Sequence, residues 1–265
     1  MLSNLHTHTT YCDGKSAAEE TVRFAVDAGF KSLGFSGHGY TPYDLRYCMK
    51  DVEGYIAEIT ALKEKYRDKI EIYLGIEEDS YSLCDRKRFD YIIGSSHYLH
   101  TGEEYIPVDS GVKYLTECIE KSGGTVGFAE AYYSAFCDYI ERRKPDIIGH
   151  FDLMTKYDEQ NAPFFSGDEA YNAVAEKYIK RALKSGCLFE VNTGAMARGL
   201  RTTPYPSERL LHVIKENGGG IVLSSDCHLA ENLAFAFTET RALLRDAGFE
   251  YVYMLLGGEF IKDYI

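Results

Sequence analysis

One pattern recurs along this chain and narrows the folds open to it. A short apolar, β-rich run ends in a histidine or a carboxylate, and a helix-period stretch follows. The runs lie at residues 2–8, 31–37, 70–76, 91–96, 146–149, 187–191 and 221–225. They deliver His6 and His8, His38, Glu77, His97, His150, Asn192, and then Asp226 with His228. Helical periodicity fills the intervals at about 16–28, 51–66, 112–122, 128–143, 168–185, 207–217 and 231–246. Ser16 and Ser207 stand where a helix cap is expected. Strands alternating with helices predict an α/β fold with a parallel sheet and right-handed crossovers. Seven such units in succession favour a barrel, and its chemistry is expected at the C-terminal ends of the strands. No linker or shift in composition divides the chain, so residues 1–265 are expected to form a single domain.

In an extended strand, residues i and i+2 face the same way, so His6 and His8 can aim two imidazoles at one point. Asp13, on the turn Cys12-Asp13-Gly14, can fold back toward them. Six of the eight histidines and three carboxylates thus gather at run ends: His6, His8, Asp13, His38, Glu77, His97, His150, Asp226 and His228. That is more nitrogen and oxygen donors than one or two ions usually take. A cluster of two or three divalent ions is expected, with a carboxylate such as Glu77 bridging. Zinc, manganese and iron(II) all fit a donor set without thiolates. His100, in an irregular insert at 99–111, and His212, in mid-helix, stay outside the set. Glu78 and Asp79 read as supporting or solvated groups, and Cys12 and Cys227 as small packing residues.

A formal net charge of −12 and the lack of a basic, aromatic-lined stretch disfavour long nucleic acid. A small phosphate remains open, because metal ions supply local positive charge. The seven cysteines are scattered and form no C-x-x-C, which fits reduced thiols in a cytoplasmic protein. No signal peptide is visible and no apolar run approaches the roughly 18 residues of a membrane span. Oligomeric state is not written in the residues.

His6-Thr7-His8, His38, Glu77, His97, His150 and Asp226-Cys227-His228 resemble, in order and spacing, the motifs of the PHP (polymerase and histidinol phosphatase) superfamily. The resemblance spans nearly the whole chain. The Tyr-Ile-Pro-Val-Asp insert and the Asn-Thr-Gly…Arg…Pro-Tyr-Pro segment look like its histidinol-phosphate phosphatase branch. It implies a distorted (β/α)7 barrel carrying three divalent metal ions. One ion would take His6, His8, Glu77 and Asp226; a second Glu77, His97 and His150; the third Asp13, His38 and His228. The expected activity is hydrolysis of L-histidinol phosphate, a small phosphate monoester, by a metal-bridging hydroxide attacking phosphorus. The alternative keeps the site and takes a nucleotide or another small phosphate ester; a non-catalytic metal-binding module is the reading from a different class. Catalytic candidates are Asp226, His228 and Arg198. Arg198 is the first choice for holding the phosphate, then Lys156, then Arg201. The acidic, Tyr-rich loops at 40–47 and 103–109 are candidates to meet the substrate's cationic end.

Overall fold

The buried apolar runs do become strands. The second run packs both faces, since every residue of Ser32–Phe35 is buried, as is every residue of Tyr91–Ser95 and Ile221–Ser224. Burial on both faces is the mark of a parallel sheet covered by helices. The computed structural model describes residues 1–160 and 164–265; residues 161–163, part of a polar stretch at 157–167, lie outside the described residues. In chain order the elements are β1 (Ser3–Asn4), α1 (Ala18–Asp27), β2 (Ser32–Phe35), α2 (Val52–Tyr66), β3 (Glu71–Asp79), β4 (Tyr91–Ser95), β5 (Tyr98–His100) and β6 (Tyr105–Pro107). Then follow α3 (Val112–Lys121), α4 (Thr125–Arg143), β7 (Ile147–Ile148), α5 (Glu169–Leu183), β8 (Leu188–Asn192), α6 (Gly194–Ala197), α7 (Glu208–Glu216), β9 (Ile221–Ser224), α8 (Phe237–Asp246), β10 (Tyr251–Leu256) and β11 (Glu259–Tyr264).

Seven strands pair in parallel in the order β1-β2-β3-β4-β7-β8-β9, and β10 and β11 extend the β9 edge. The sheet curls until its ends meet: Thr7, just past β1, bridges Cys227, just past β9. His8 N–H donates to the Cys227 carbonyl at 2.8 Å, and Cys227 N–H to the His6 carbonyl at 3.0 Å. Lower down β9, Val222 pairs instead with Tyr253 of β10. The first strand therefore closes the ring only at the C-terminal end, and that split distorts the (β/α)7 barrel. It also pins His6, His8 and Asp226 close together.

Inside the barrel, Leu5, Tyr73, Tyr91, Ile93, Ile147, Val222 and Leu255 form a small buried cluster. Outside, α1 and α2 pack on one side of the sheet around Val22, Phe35, Tyr55 and Ile59. A larger cluster joins α4, α5 and α7 to the other side through Phe136, Phe151, Ile179, Phe189 and Leu211. Apolar burial of this kind contributes about 25 cal/mol per Å² and dominates the stability of the frame.

Two local expectations differ from what is found, and a C-terminal hairpin adds to them. The insert at 99–111 is not wholly irregular: β5 and β6 pair as an antiparallel hairpin. The apolar stretch at 251–256 is one arm of a second hairpin, turned by Gly257 and Gly258 at φ 63° and 78°. Both central residues of such a tight turn need positive φ, which glycine adopts freely. Neither serine caps its helix with its hydroxyl. Ser16 Oγ accepts from Ala230 N–H at 3.2 Å, and Ser207 stands at the cap position of α7 without a side-chain cap bond. Among the described residues no helix is long and apolar enough to cross a membrane.

Candidate metal centre

β1 and its extension place His6 and His8 side by side, with ring centroids 5.1 Å apart. The turn after them brings in Asp13, whose Oδ1 lies 3.7 Å from His8 Nδ1 and 3.6 Å from His38 Nε2. Gly14 makes that turn possible: a Cβ there would lie 2.5 Å from the Thr9 nitrogen and 2.6 Å from the His8 carbonyl carbon. β3 carries Glu77 into the middle of the group. Its Oε2 is 2.7 Å from His38 Nδ1, 3.3 Å from His6 Nε2 and 3.6 Å from His8 Nε2. Its Oε1 is 3.0 Å from His150 Nε2 and 3.3 Å from His97 Nε2. One buried carboxylate thus touches five imidazoles.

Asp226 closes the group from β9. Its Oδ1 is 3.1 Å from His8 Nε2, 3.5 Å from His228 Nδ1 and 3.7 Å from His6 Nε2. The chain turns there through φ 48°, an uncommon left-handed conformation that Asp tolerates better than most residues. Gly194 gives it room, for a Cβ at that position would sit 2.8 Å from Asp226 Cβ. His228 reaches Asp13 at 3.3 Å.

All nine strand-end residues named from the sequence therefore converge. Seven of them fall into three overlapping groups whose donor atoms lie within 4.8 Å of one another: His8, Asp13, His38 and His228; His6, His8 and Glu77; His38, Glu77 and His97; His150 and Asp226 adjoin these groups through Glu77 and His8. His38 and His8 join more than one group, a sharing that the sequence did not indicate.

The hydrogen bonding tests whether this set suits a cation. His6 Nε2, His8 Nε2, Asp13 Oδ1 and Glu77 Oε2 are buried without a hydrogen-bond partner. An unpaired buried polar atom costs about 1–3 kcal/mol, and four of them facing one another form a cradle whose donor chemistry fits divalent ions. The electrostatics agree. Burial would raise Glu77 and Asp226, but the surrounding imidazoles, and Arg198 beside Asp226, hold both carboxyls well below the usual carboxylate range. Burial would lower His6, yet Glu190, Glu77 and Asp226 outweigh it and raise the ring's pKa well above the ordinary value. His97 is raised in the same way by Glu77 and Asp79, and His228 by Asp13 and Asp226. His8 goes the other way, down to about 3, through burial and the neighbouring His228 and His38 rings. The Asp226 carboxyl is thus held in the charged form.

Above the group opens a cavity of about 360 Å³, lined in part by Lys15, Asp109, Lys156, Arg198 and His228. Arg198 follows α6 and reaches Asp226 Oδ2 at 3.0 Å. Lys156 holds Asp109 Oδ2 at 2.8 Å. Arg201 is elsewhere. It is buried, its guanidinium donates to the Thr155 carbonyl and the Thr203 carbonyl at 3.2 Å, and it lies 4.5 Å over the Tyr205 ring. It lines a separate cavity of about 190 Å³, so the structure does not bring it to the metal centre. His100 stacks on Tyr105 at 4.3 Å, and His212 faces Glu208 at 3.8 Å on a helix surface. Cys12 and Cys227 sit close by with thiols pushed up by burial to about 11 and about 12, and neither belongs to a ligand group.

Two carboxylates support the donor set from behind. Asp79, at the end of β3, holds His97 Nδ1 at 3.2 Å. Glu190, inside β8, lies 2.5 Å from His6 Nδ1. The sequence pointed to Asp79 through its neighbour Glu77, whereas nothing local marked Glu190.

The chain matches the PHP domain family over residues 4–194. It is 24% identical to the histidinol-phosphatase of Bacillus subtilis over 257 residues, covering 88% of this chain and 95% of that protein. It is likewise 24% identical to the histidinol-phosphatase of Lactococcus lactis over 269 residues, covering 98% and 96%. A crystal structure of histidinol phosphate phosphatase from Lactococcus lactis, complexed with zinc, L-histidinol and phosphate, superposes with a TM-score of 0.75 at 21% identity, over 98% of each chain. Fold, strand-end donor set and a family match over most of the length agree, and the chain belongs to the PHP family.

Proposed function

We propose that this protein is a metal-dependent phosphomonoesterase that hydrolyses L-histidinol phosphate to L-histidinol and phosphate. The observation that carries the chemistry is the set of buried donors without hydrogen-bond partners at the strand ends, His6 Nε2, His8 Nε2, Asp13 Oδ1 and Glu77 Oε2. The whole-length similarity to histidinol-phosphatases supports the substrate. Three ions would be held: by His6, His8, Glu77 and Asp226; by Glu77, His97 and His150; and by Asp13, His38 and His228. When bound, such ions act as Lewis acids toward phosphoryl oxygens and lower the pKa of water enough to supply hydroxide near neutral pH.

The chain's own residues do the rest. Arg198 offers a guanidinium fork at the cavity wall, and its bond to Asp226 leaves other N–H groups for phosphate oxygens. Lys156 supplies a second cation. Lys15 lines the same cavity and forms no ion pair among the described residues. Asp226, held ionised, serves as a ligand. The substrate's other end carries an ammonium and an imidazole. It would extend into an adjoining lobe of about 310 Å³ lined in part by Asp44, Tyr47, Tyr98, Asp109 and Ser110. There the Arg46 guanidinium holds the Asp44 carboxyl below its usual range. Asp109, which burial would raise, is brought down to about 2 by Lys156 and His97. Both carboxylates are thus charged at neutral pH and complement a cation. Residues 1–265 would act as one unit, because the two ends of the chain both contribute to the ligand set.

The test is steady-state hydrolysis of L-histidinol phosphate by protein of known metal content, beside p-nitrophenyl phosphate and a nucleoside monophosphate. Histidinol phosphate should lead in kcat/KM by at least about tenfold, the effect of roughly 1.4 kcal/mol of extra transition-state binding. Equal turnover of all three would retain the phosphoesterase chemistry and remove the substrate assignment.

A further inference from the structure

Glu190 is a charged residue in the interior of β8, with its side chain fully buried. An isolated buried carboxylate is costly, and it persists only where the surroundings compensate it. Here four groups meet it. His6 Nδ1 and Ser224 Oγ lie 2.5 Å from Oε1, while His150 N–H and Asn192 Nδ2 lie 2.8 Å and 3.0 Å from Oε2. A carboxylate accepts only, with about four lone-pair positions, so each of these groups acts as a donor toward it. In the neutral ring that metal ligation requires, the one His6 proton is therefore on Nδ1. The free lone pair of that ring is on Nε2, the atom that faces Glu77 Oε2 at 3.3 Å and has no hydrogen-bond partner.

We propose that Glu190 is a positioning residue of the metal centre, fixing the tautomer and orientation of His6 and, through the His150 backbone, tying two of the ligand groups together. The proposal rests on the reading of His6 as a metal ligand. Asp79 stands in a similar relation to His97 at 3.2 Å, but it also accepts from the His97 N–H and from the Tyr43 hydroxyl. Glu190 differs in reaching strands β1, β8 and β9 and the end of β7 at once. Glutamine has nearly the same shape but cannot replace it. Its amide would place a donor against either the His6 and Ser224 pair or the His150 and Asn192 pair.

The experiment compares zinc affinity in the wild type, Glu190→Gln and Ser224→Ala, by competition with a chromophoric chelator and without substrate. Glu190→Gln should bind zinc about 10–100-fold more weakly. Its turnover should fall at limiting zinc and recover in excess zinc. Ser224→Ala removes one donor from the same network without touching His6, and it should stay within about threefold of wild type. A wild-type competition curve for Glu190→Gln would overturn the proposal, and so would an equal loss in both variants. Should Glu190→Gln not fold, the His6 tautomer in the zinc-loaded wild type decides, read by long-range 1H–15N correlation. Protonated Nδ1 supports the proposal and protonated Nε2 overturns it. A protein that passes these tests yet leaves histidinol phosphate intact would refute the proposed function and keep the role of Glu190.

Discussion

The floor of the cavity and its outer lobe share Asp13, His38, His97, Asp109 and Lys156, yet they are built differently. The floor is made of strand ends. His6, His8, Glu77 and His150 are buried, and several of their donor atoms lack a protein partner. The lobe is made of loops and the start of the β5–β6 hairpin, and its charges are already paired. Asp44 takes Arg46 at 2.5 Å and the Tyr98 hydroxyl at 2.9 Å, and Asp109 takes Lys156 at 2.8 Å. Unsatisfied donors held rigidly need a ligand to complete them, so the chemistry belongs to the floor. Satisfied pairs near the surface can exchange partners with a substrate at modest cost, so discrimination belongs to the lobe.

The largest effect should come from the centre of the floor. Glu77→Ala removes the carboxylate that touches five imidazoles and is expected to lower the metal content per chain. It should cut kcat/KM by about three orders of magnitude or more, since metal ions contribute several kcal/mol to such reactions. Elemental analysis beside steady-state kinetics would check both; normal turnover by the variant would break the assignment of chemistry to the floor. Arg198→Ala acts at the wall between the compartments. Loss of a hydrogen bond to a charged group costs about 1.5–3 kcal/mol, so kcat/KM should fall by about 10–150-fold with metal content intact. An unchanged KM for phosphate esters would remove Arg198 from phosphate binding. Asp44→Asn probes the lobe alone, and the effect is smallest. It should reduce the preference for histidinol phosphate over p-nitrophenyl phosphate by about tenfold, a 1.4 kcal/mol change, while the latter's turnover holds. Equal losses on both substrates would blur the division between floor and lobe.

The same contrast explains what could be read from the residues. Strand ends are legible because apolar runs of β type stop at identifiable positions, and the terminal residue then points to the barrel mouth. That logic located His38, His97 and His150 without any knowledge of their neighbours. Glu190 escaped it because its meaning is tertiary: one carboxylate in the run Leu188–Asn192 could face water, a helix or a ligand, and only the approach of His6 decides. Arg198 and Arg201 show the limit within a single loop. They lie three residues apart with the same chemistry, but the short helix α6 ends beside Asp226, and the chain then turns Arg201 toward Thr155. The hairpins β5–β6 and β10–β11 were hidden for another reason: β5 and β6 have three residues each, and Tyr251–Leu256 is apolar or aromatic throughout, without the polar alternation that marks a half-exposed strand.

Titrating zinc into the metal-free protein while recording bound ions, released protons and turnover of L-histidinol phosphate tests the central claim most directly. His6, His97 and His228 have raised pKa values in the metal-free state, so near neutral pH they carry more protons than ordinary histidines. A ligating ring must be neutral. Binding should therefore release protons, and affinity should weaken as pH falls. Turnover should be absent without ions and rise as about three per chain are taken up, with proton release. Full turnover of histidinol phosphate by the ion-free chain, or uptake of ions without any change in turnover, would contradict the central claim.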